Sequence, residues 1–142
     1  METSGIKFMV RRIEYDSNYM YTCIDADTWK KTAFDVCTYS TTETVVGEYN
    51  GKPLYRKIVN FGALPNNTTK EVTHNIPNIN IITSISGTSW DSTGTTIPLP
   101  TTSSTSSVEL YADKSKIGIT TTTDKSTMIN SNVIIEYTKT TD

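Results

Sequence analysis

Good helix formers are scarce in this 142-residue chain, with 4 Leu and 4 Ala against 15 Ile, 8 Val and 27 Thr. β-Branched side chains lose χ1 freedom in a helix and pack well on a pleated surface, so this balance excludes a helical bundle and predicts an almost all-β fold. There are 2 Cys, too few for a disulfide framework; Cys23 and Cys37 stand 14 positions apart and read as two reduced thiols. There is 1 His, so a mechanism using imidazole has a single candidate. With a net charge of −2 and scattered charges, the chain has no basic stripe for phosphates, and nucleic acid is set aside as a partner. Nowhere do 18 apolar residues run together, and Lys7, Arg11, Arg12, Glu14 and Asp16 interrupt the N-terminal stretch, so neither membrane insertion nor a signal peptide is expected.

Core-forming residues are few as well. Leu, Ile, Val and Phe number 30 of 142, little above the roughly 20% below which highly charged chains stay disordered. The charge here is low and the apolar residues alternate in strand-like runs. A folded domain is therefore expected, one that extends its modest core across a symmetric interface with neighbouring subunits.

The sharpest local signal is Asn50-Gly51, which joins the run Glu43–Tyr49 to the run Lys52–Val59. Both residues readily take positive φ, as a type I′ hairpin turn requires. In the second run, Tyr55, Lys57, Val59 and Phe61 share one face while Leu54, Arg56 and Ile58 share the other. Pro53, lacking an N–H, sits at a strand start where that is tolerated. Gly62–Thr69 reads as a loop turning at Pro65-Asn66-Asn67. Ile79–Ser86 reads as a strand with Ile79, Ile81 and Ile85 on one side, and Gly87–Ser107 as a long irregular stretch of the kind that is functional or mobile in compact domains. Val108–Ala112, Ile117–Thr122 and Asn132–Thr138 read as closing strands, the last with Val133, Ile135 and Tyr137 inward.

Residues 1–38 differ in texture, holding both Cys and three of the four Met. The alternation Ile6, Phe8, Val10 shifts to Ile13, Tyr15 across Arg11-Arg12, as a β-bulge permits. Tyr19–Ile24 reads as a strand, Asp25–Asp27 as a turn, and Trp29–Tyr39 as a short helix or, as the alternation of Phe34, Val36 and Thr38 favours, a further strand. With these the chain divides into 1–38, an attachment segment or small β subdomain, and 39–142. The latter is expected to be an antiparallel β-sandwich or jelly-roll-like domain of about eight to nine short strands.

Chemistry-bearing constellations are sparse. His74, in Val72-Thr73-His74-Asn75-Ile76, reads as a hydrogen-bonded residue at a strand end. No zinc spacing, nucleophile elbow or phosphate loop occurs, and no cofactor is expected. Asp25-Ala26-Asp27 alternates carboxylates but lacks the further ligands and the glycine of a calcium loop. A glycan-degrading enzyme would need two loop carboxylates at a set separation, and Asp25, Asp27, Asp91 and Asp113 cannot be paired from sequence. The expectation is no catalytic residue and no metal. Trp90, in the long polar stretch and followed by Asp91, offers a ring face beside a hydrogen-bonding group, the combination that a sugar ring needs. Tyr111, and more weakly Tyr49 and Tyr55, extend that candidate ligand set.

The pattern VVGEYNGKPLYRK, then GALPNNTTK, then the closing IIEYTKTTD resembles the C-terminal module of bacteriophage tail-fibre-like and minor structural proteins, over about residues 39–142. Tyr39, Val46, Gly47, Gly51, Lys52, Pro53, Tyr55, Lys57, Gly62, Leu64, Pro65, Asn66, Lys70, Val72 and His74 are among the matching positions, mostly turn and strand positions. The resemblance implies a non-enzymatic virion structural protein, a homotrimeric fibre or head-decoration protein assembled in the bacterial cytoplasm. Residues 1–38 would dock on capsid or tail proteins while the module faces a host-surface glycan. The alternative is a carbohydrate-binding module for bacterial surface glycans without a scaffold role.

Overall fold

A computed structural model describes residues 13–15, 19–25, 28–33 and 39–141, divided into two compact units, Met1–Cys37 and Thr38–Asp142. In the first unit, β1 (Ile13–Tyr15), β2 (Tyr19–Asp25) and β3 (Thr28–Ala33) form an antiparallel sheet in that order. The registers are Glu14 opposite Tyr21 and Tyr21 opposite Lys31. The alternation of Ile6–Val10, the bulge at Arg11-Arg12, the Phe34–Thr38 stretch, Ala26-Asp27 and Cys37, and with Cys37 the state of the cysteine pair, lie outside the described residues.

The second unit is all-β, with nine strands in two antiparallel sheets and no helix among the described residues. The five-stranded sheet runs β4 (Thr44–Tyr49), β5 (Lys52–Asn60), β12 (Asn130–Lys139), β7 (Ile79–Trp90), β8 (Thr96–Leu99). The four-stranded sheet runs β6 (Thr69–Thr73), β11 (Lys116–Thr121), β10 (Ser107–Ala112), β9 (Thr101–Thr102). β4 and β5 form the expected hairpin, with φ of 51° at Asn50 and 77° at Gly51, both positive as a type I′ turn demands. The chain passes from one sheet to the other between β8 and β9 at Pro100, after a cis Leu99–Pro100 bond.

The two sheets share one core. Val59, Ile79, Leu99, Val133, Ile135 and Tyr137 of the larger sheet meet Val108, Ile117 and Ile119 of the smaller, and Phe61, Leu64, Ile76 and Met128 close it from the loops. Val133, Ile135 and Tyr137 are each 0% exposed, as their alternation predicts. Polar pairs sit beside this apolar set: Ser131 Oγ donates to Ser89 Oγ at 2.9 Å, which donates to the Asn130 carbonyl at 2.8 Å, so both buried hydroxyls are satisfied.

Two expectations need correction. Gly87–Ser107 is not one irregular stretch. β7 continues through Trp90 because Gly87, Thr88, Ser89 and Trp90 pair on both sides, with β12 and with β8. The short strands β8 and β9 interrupt the remainder, since Thr serves a strand as readily as a loop when neighbours supply the ladder. Ile81, in turn, does not share the inward side with Ile79. β7 slips against β12 between the Ile79–Lys139 and Ile81–Thr138 pairs, leaving Asn80 extra, and again between Ile82–Tyr137 and Ser84–Glu136, leaving Thr83 extra. Each bulge reverses the facing of the residues beyond it, so Ile81 is 47% exposed while Ile82 and Ile85 pack on the core.

Gly87 shows how close β7 and β12 lie. A Cβ there would stand 2.5 Å from the Asn132 carbonyl oxygen, a backbone atom with no room to yield. Gly87→Ala is expected to lower stability by about 1–3 kcal/mol, read as a lower urea midpoint at unchanged slope. Thr83 Oγ1 is buried without a hydrogen-bond partner, so Thr83→Val should raise stability by about 1 kcal/mol in the same measurement.

Candidate functional site

The structure distributes Trp90, Asp91 and Tyr111 rather than gathering them. Trp90 is half-buried at the end of β7 in the five-stranded sheet, opposite Asn130 and Thr96, whereas Tyr111 stands on β10 of the other sheet. Asp91 Oδ1 accepts the Thr93 N–H at 2.8 Å, the Thr93 hydroxyl at 2.7 Å and the Thr95 N–H at 2.9 Å. That oxygen builds the β7–β8 turn, with Gly94 at φ 89°. Tyr111 lies across Gly118 of β11, where a Cβ would come within 2.1 Å of its ring, and its hydroxyl donates to Glu71 Oε1 on β6 at 2.9 Å. Lys116 Nζ donates to the other Glu71 oxygen at 2.7 Å. The ring thus ties three strands together, a task that Gly118 makes possible.

The turn aspartates repeat one design. Asp113 Oδ1 accepts the Ser115 N–H at 2.7 Å, its hydroxyl at 2.8 Å and the Lys116 N–H at 2.9 Å. Asp124 Oδ1 accepts the Ser126 N–H at 2.9 Å and its hydroxyl at 2.7 Å. These donors favour the charged form and hold both carboxyls below their ordinary range; at Asp91 the Thr93 hydroxyl does the same. His74 is a structural residue as well. It is 2% exposed, its Nδ1 accepts the Ile76 N–H at 3.1 Å, and its Nε2 lies 3.1 Å from the Asp113 carbonyl oxygen. These partners assign the proton to Nε2.

A half-buried polar cluster around the buried Tyr137 fastens the segment entering β4. Glu43 accepts the Tyr137 hydroxyl in a short hydrogen bond on one oxygen and Lys139 Nζ at 2.5 Å on the other. Tyr55 stacks on Tyr137 at 5.8 Å between ring centroids, and the Lys139 ammonium lies 4.7 Å from the Tyr55 centroid. Burial pushes the Tyr137 hydroxyl up, and Glu43 adds to that. Burial would also raise Glu43, but the hydrogen bonds from Lys139 and Tyr137 outweigh it and hold the carboxyl below its usual range. Ser40 O accepts the Ile58 N–H at 2.8 Å, and the Arg56 guanidinium sits 5.0 Å from the Tyr39 ring centroid.

A shallow concavity lies at the tip of the β4–β5 hairpin. Tyr49, Asn50, Lys52, Asn80, Ile81 and Thr138 line a groove of about 430 Å³, within the range of small-molecule sites. Tyr49 and Lys52 face each other across the Asn-Gly turn. Lys52 Nζ donates to the Lys139 carbonyl at 3.2 Å, and Asn80 Nδ2 donates to Thr138 Oγ1 at 3.4 Å. The bulge at Asn80 turns Ile81 out beside them. Of this set the sequence signalled only Tyr49 and the hairpin, because the slip of β7 against β12 has no signature in residue types. Among the described residues no three metal-ligating side chains converge, and no helix is long and apolar enough to cross a membrane.

Compared with known families, curated proteins and solved structures, the chain matches none.

Acid should weaken the fold in a defined window. Asp91, Asp113, Asp124 and Glu71 all have folded values below their unfolded ones. Their stabilisation is complete above the unfolded carboxylate range, about pH 4, and is lost as pH falls through the lowered folded values. Urea midpoints should therefore hold from pH 7 to about pH 5 and fall below about pH 4, and Asp113→Asn should show a smaller fall than the parent. Tyr137→Phe leaves Glu43 one donor short and should cost about 1 kcal/mol at neutral pH, read from the same curves.

Proposed function

We propose that the chain is a non-enzymatic structural protein of a bacteriophage particle, a homotrimeric fibre or head-decoration subunit. Residues 1–38 attach to capsid or tail proteins, and the sandwich is displayed for host-surface attachment. The resemblance of Tyr39–His74 to virion appendage modules carries this reading. The fold is compatible with it at the matched positions: Gly51 and Gly62 have φ of 77° and 75°, Pro53 is the second residue of β5, and His74 and Lys70 fasten loops. Lys70 Nζ donates to the Phe61 and Ala63 carbonyls at 2.9 and 2.8 Å. These are scaffold roles.

The surface supports assembly. Val45, Tyr49, Ile81 and Ile129 are 50, 41, 47 and 46% exposed on a module whose core is small, and a neighbouring subunit would cover part of that apolar area. Light scattering or native mass measurement should return three times the 15.8 kDa subunit mass at micromolar concentration. A stable monomer would overturn the trimer, and imaging that finds the chain nowhere on the particle would overturn the virion role.

A further inference from the structure

We propose that the outward face of the smaller sheet is a binding site for a neutral β-linked saccharide, built on the Tyr111 ring. This deepens the host-attachment reading by naming a ligand class and a place, and it rests on that reading only for where the ligand is met. The registers arrange the face in rows across β10, β11 and β6. Tyr111, Gly118 and Glu71 form the middle row, with Glu109, Thr120 and Thr69 in the row beside it. Because Gly118 has no side chain, the Tyr111 ring lies across β11 in the middle of the sheet: its Cζ, its hydroxyl oxygen and one Cε all come within 2.5 Å of where a Gly118 Cβ would stand. Glu71 Oε1 holds the hydroxyl at 2.9 Å and so fixes the far end of the ring. The remainder of the ring is open to solvent, Tyr111 being 40% exposed. An aromatic surface fixed in this way receives a ligand without losing rotamer freedom of its own. In a β-linked glucan the ring substituents are equatorial, which leaves flat C–H faces to stack on such a ring and puts the hydroxyls at the rim.

The groups around the ring suit that rim. Thr69 and Thr120 hold their hydroxyl oxygens 2.7 Å apart in the neighbouring row. Sharing one hydrogen, the pair keeps a second donor and further lone pairs for sugar hydroxyls. Charge sets the choice between neutral and acidic sugars. Three carboxylates, Glu71, Glu109 and Asp113, stand in these rows against the Lys116 ammonium, which is itself bound to Glu71 at 2.7 Å. The excess is negative, so the face admits an uncharged ring and repels a uronate. The site is also separate from the apolar surface suited to assembly. The outward face of the larger sheet carries Ile58, Ile134 and Ile81, whereas on β6, β10 and β11 Tyr111 is the outward side chain with a large apolar surface. Subunit contact and ligand contact thus fall to different sheets, and a trimer can use both.

The test records saturation-transfer NMR of the full chain with cellotetraose, which is neutral, and with β-1,4-linked tetraglucuronate, which has the same skeleton and a carboxylate on every ring. Cellotetraose should receive saturation on the axial protons that a stacked sugar turns toward an aromatic. The tetraglucuronate should bind about threefold more weakly, a gap that raised salt narrows. Tyr111→Leu still covers Gly118 but has no aromatic face, and it should weaken cellotetraose about tenfold; Tyr111→Phe keeps the face and should bind within about twofold of the parent. Thr120→Val keeps the shape of the side chain and should weaken cellotetraose about fivefold by removing a hydroxyl. Urea curves taken alongside establish that each variant is folded. No saturation of cellotetraose, tighter binding of the tetraglucuronate, or binding that survives both Tyr111→Leu and Thr120→Val would each overturn the site. A trimer indifferent to cellotetraose would overturn this inference alone; a monomer that binds it through Tyr111 would overturn the assembly reading alone.

Discussion

The sandwich depends on β12 being held between β5 and β7. Its residues Val133, Ile135 and Tyr137 are each 0% exposed, and its ladder joins the β4–β5 hairpin to the β7–β8 pair. Fully burying side chains of this kind contributes about 1.5–3 kcal/mol each, a large share of the stability of a domain with so few Leu and Phe. Without β12 the larger sheet separates into two hairpins with nothing across them. The close passage at Gly87, the Ser89–Ser131 pair and the Arg56–Glu136 ion pair at 2.6 Å all arise on its flanks.

The polar residues divide their work by position. In the turns, Asp91, Asp113 and Asp124 each bind the hydroxyl and backbone N–H of a Thr or Ser two residues on, so the abundant hydroxyls act as turn locks as well as surface. Between strands, Tyr111 reaches over Gly118 to Glu71. At the sheet end, Glu43 joins Tyr137 and Lys139. Aspartates and aromatics that suggest a ligand site in one dimension are thus mostly engaged by the fold in three.

The sequence made the all-β class, the Asn-Gly hairpin and the inward faces of β5 and β12 legible, because period-two alternation and positive-φ turn residues act locally. It did not make legible the continuation of β7 through Trp90 or the outward turn of Ile81. Gly87-Thr88-Ser89 has the composition of a loop and becomes strand only through its two neighbours, β8 next along the chain and β12 far from it in sequence. The bulges at Asn80 and Thr83 follow from the register with β12, a tertiary property that no run of residue types records. Trp90 and Asp91 were adjacent and therefore visible as a pair; Tyr49, Lys52 and Asn80 are brought together by the hairpin and the slip.

Placing the last strand at the centre of the larger sheet also governs how the module is made. Arg56 and Glu136, partners across β5 and β12, are 80 positions apart. Such non-local pairing is slow to form, since the intervening chain must close before the contact rewards it. Until β12 has been made, the β5 edge of the β4–β5 hairpin has no strand to pair with and is open to pairing with another chain.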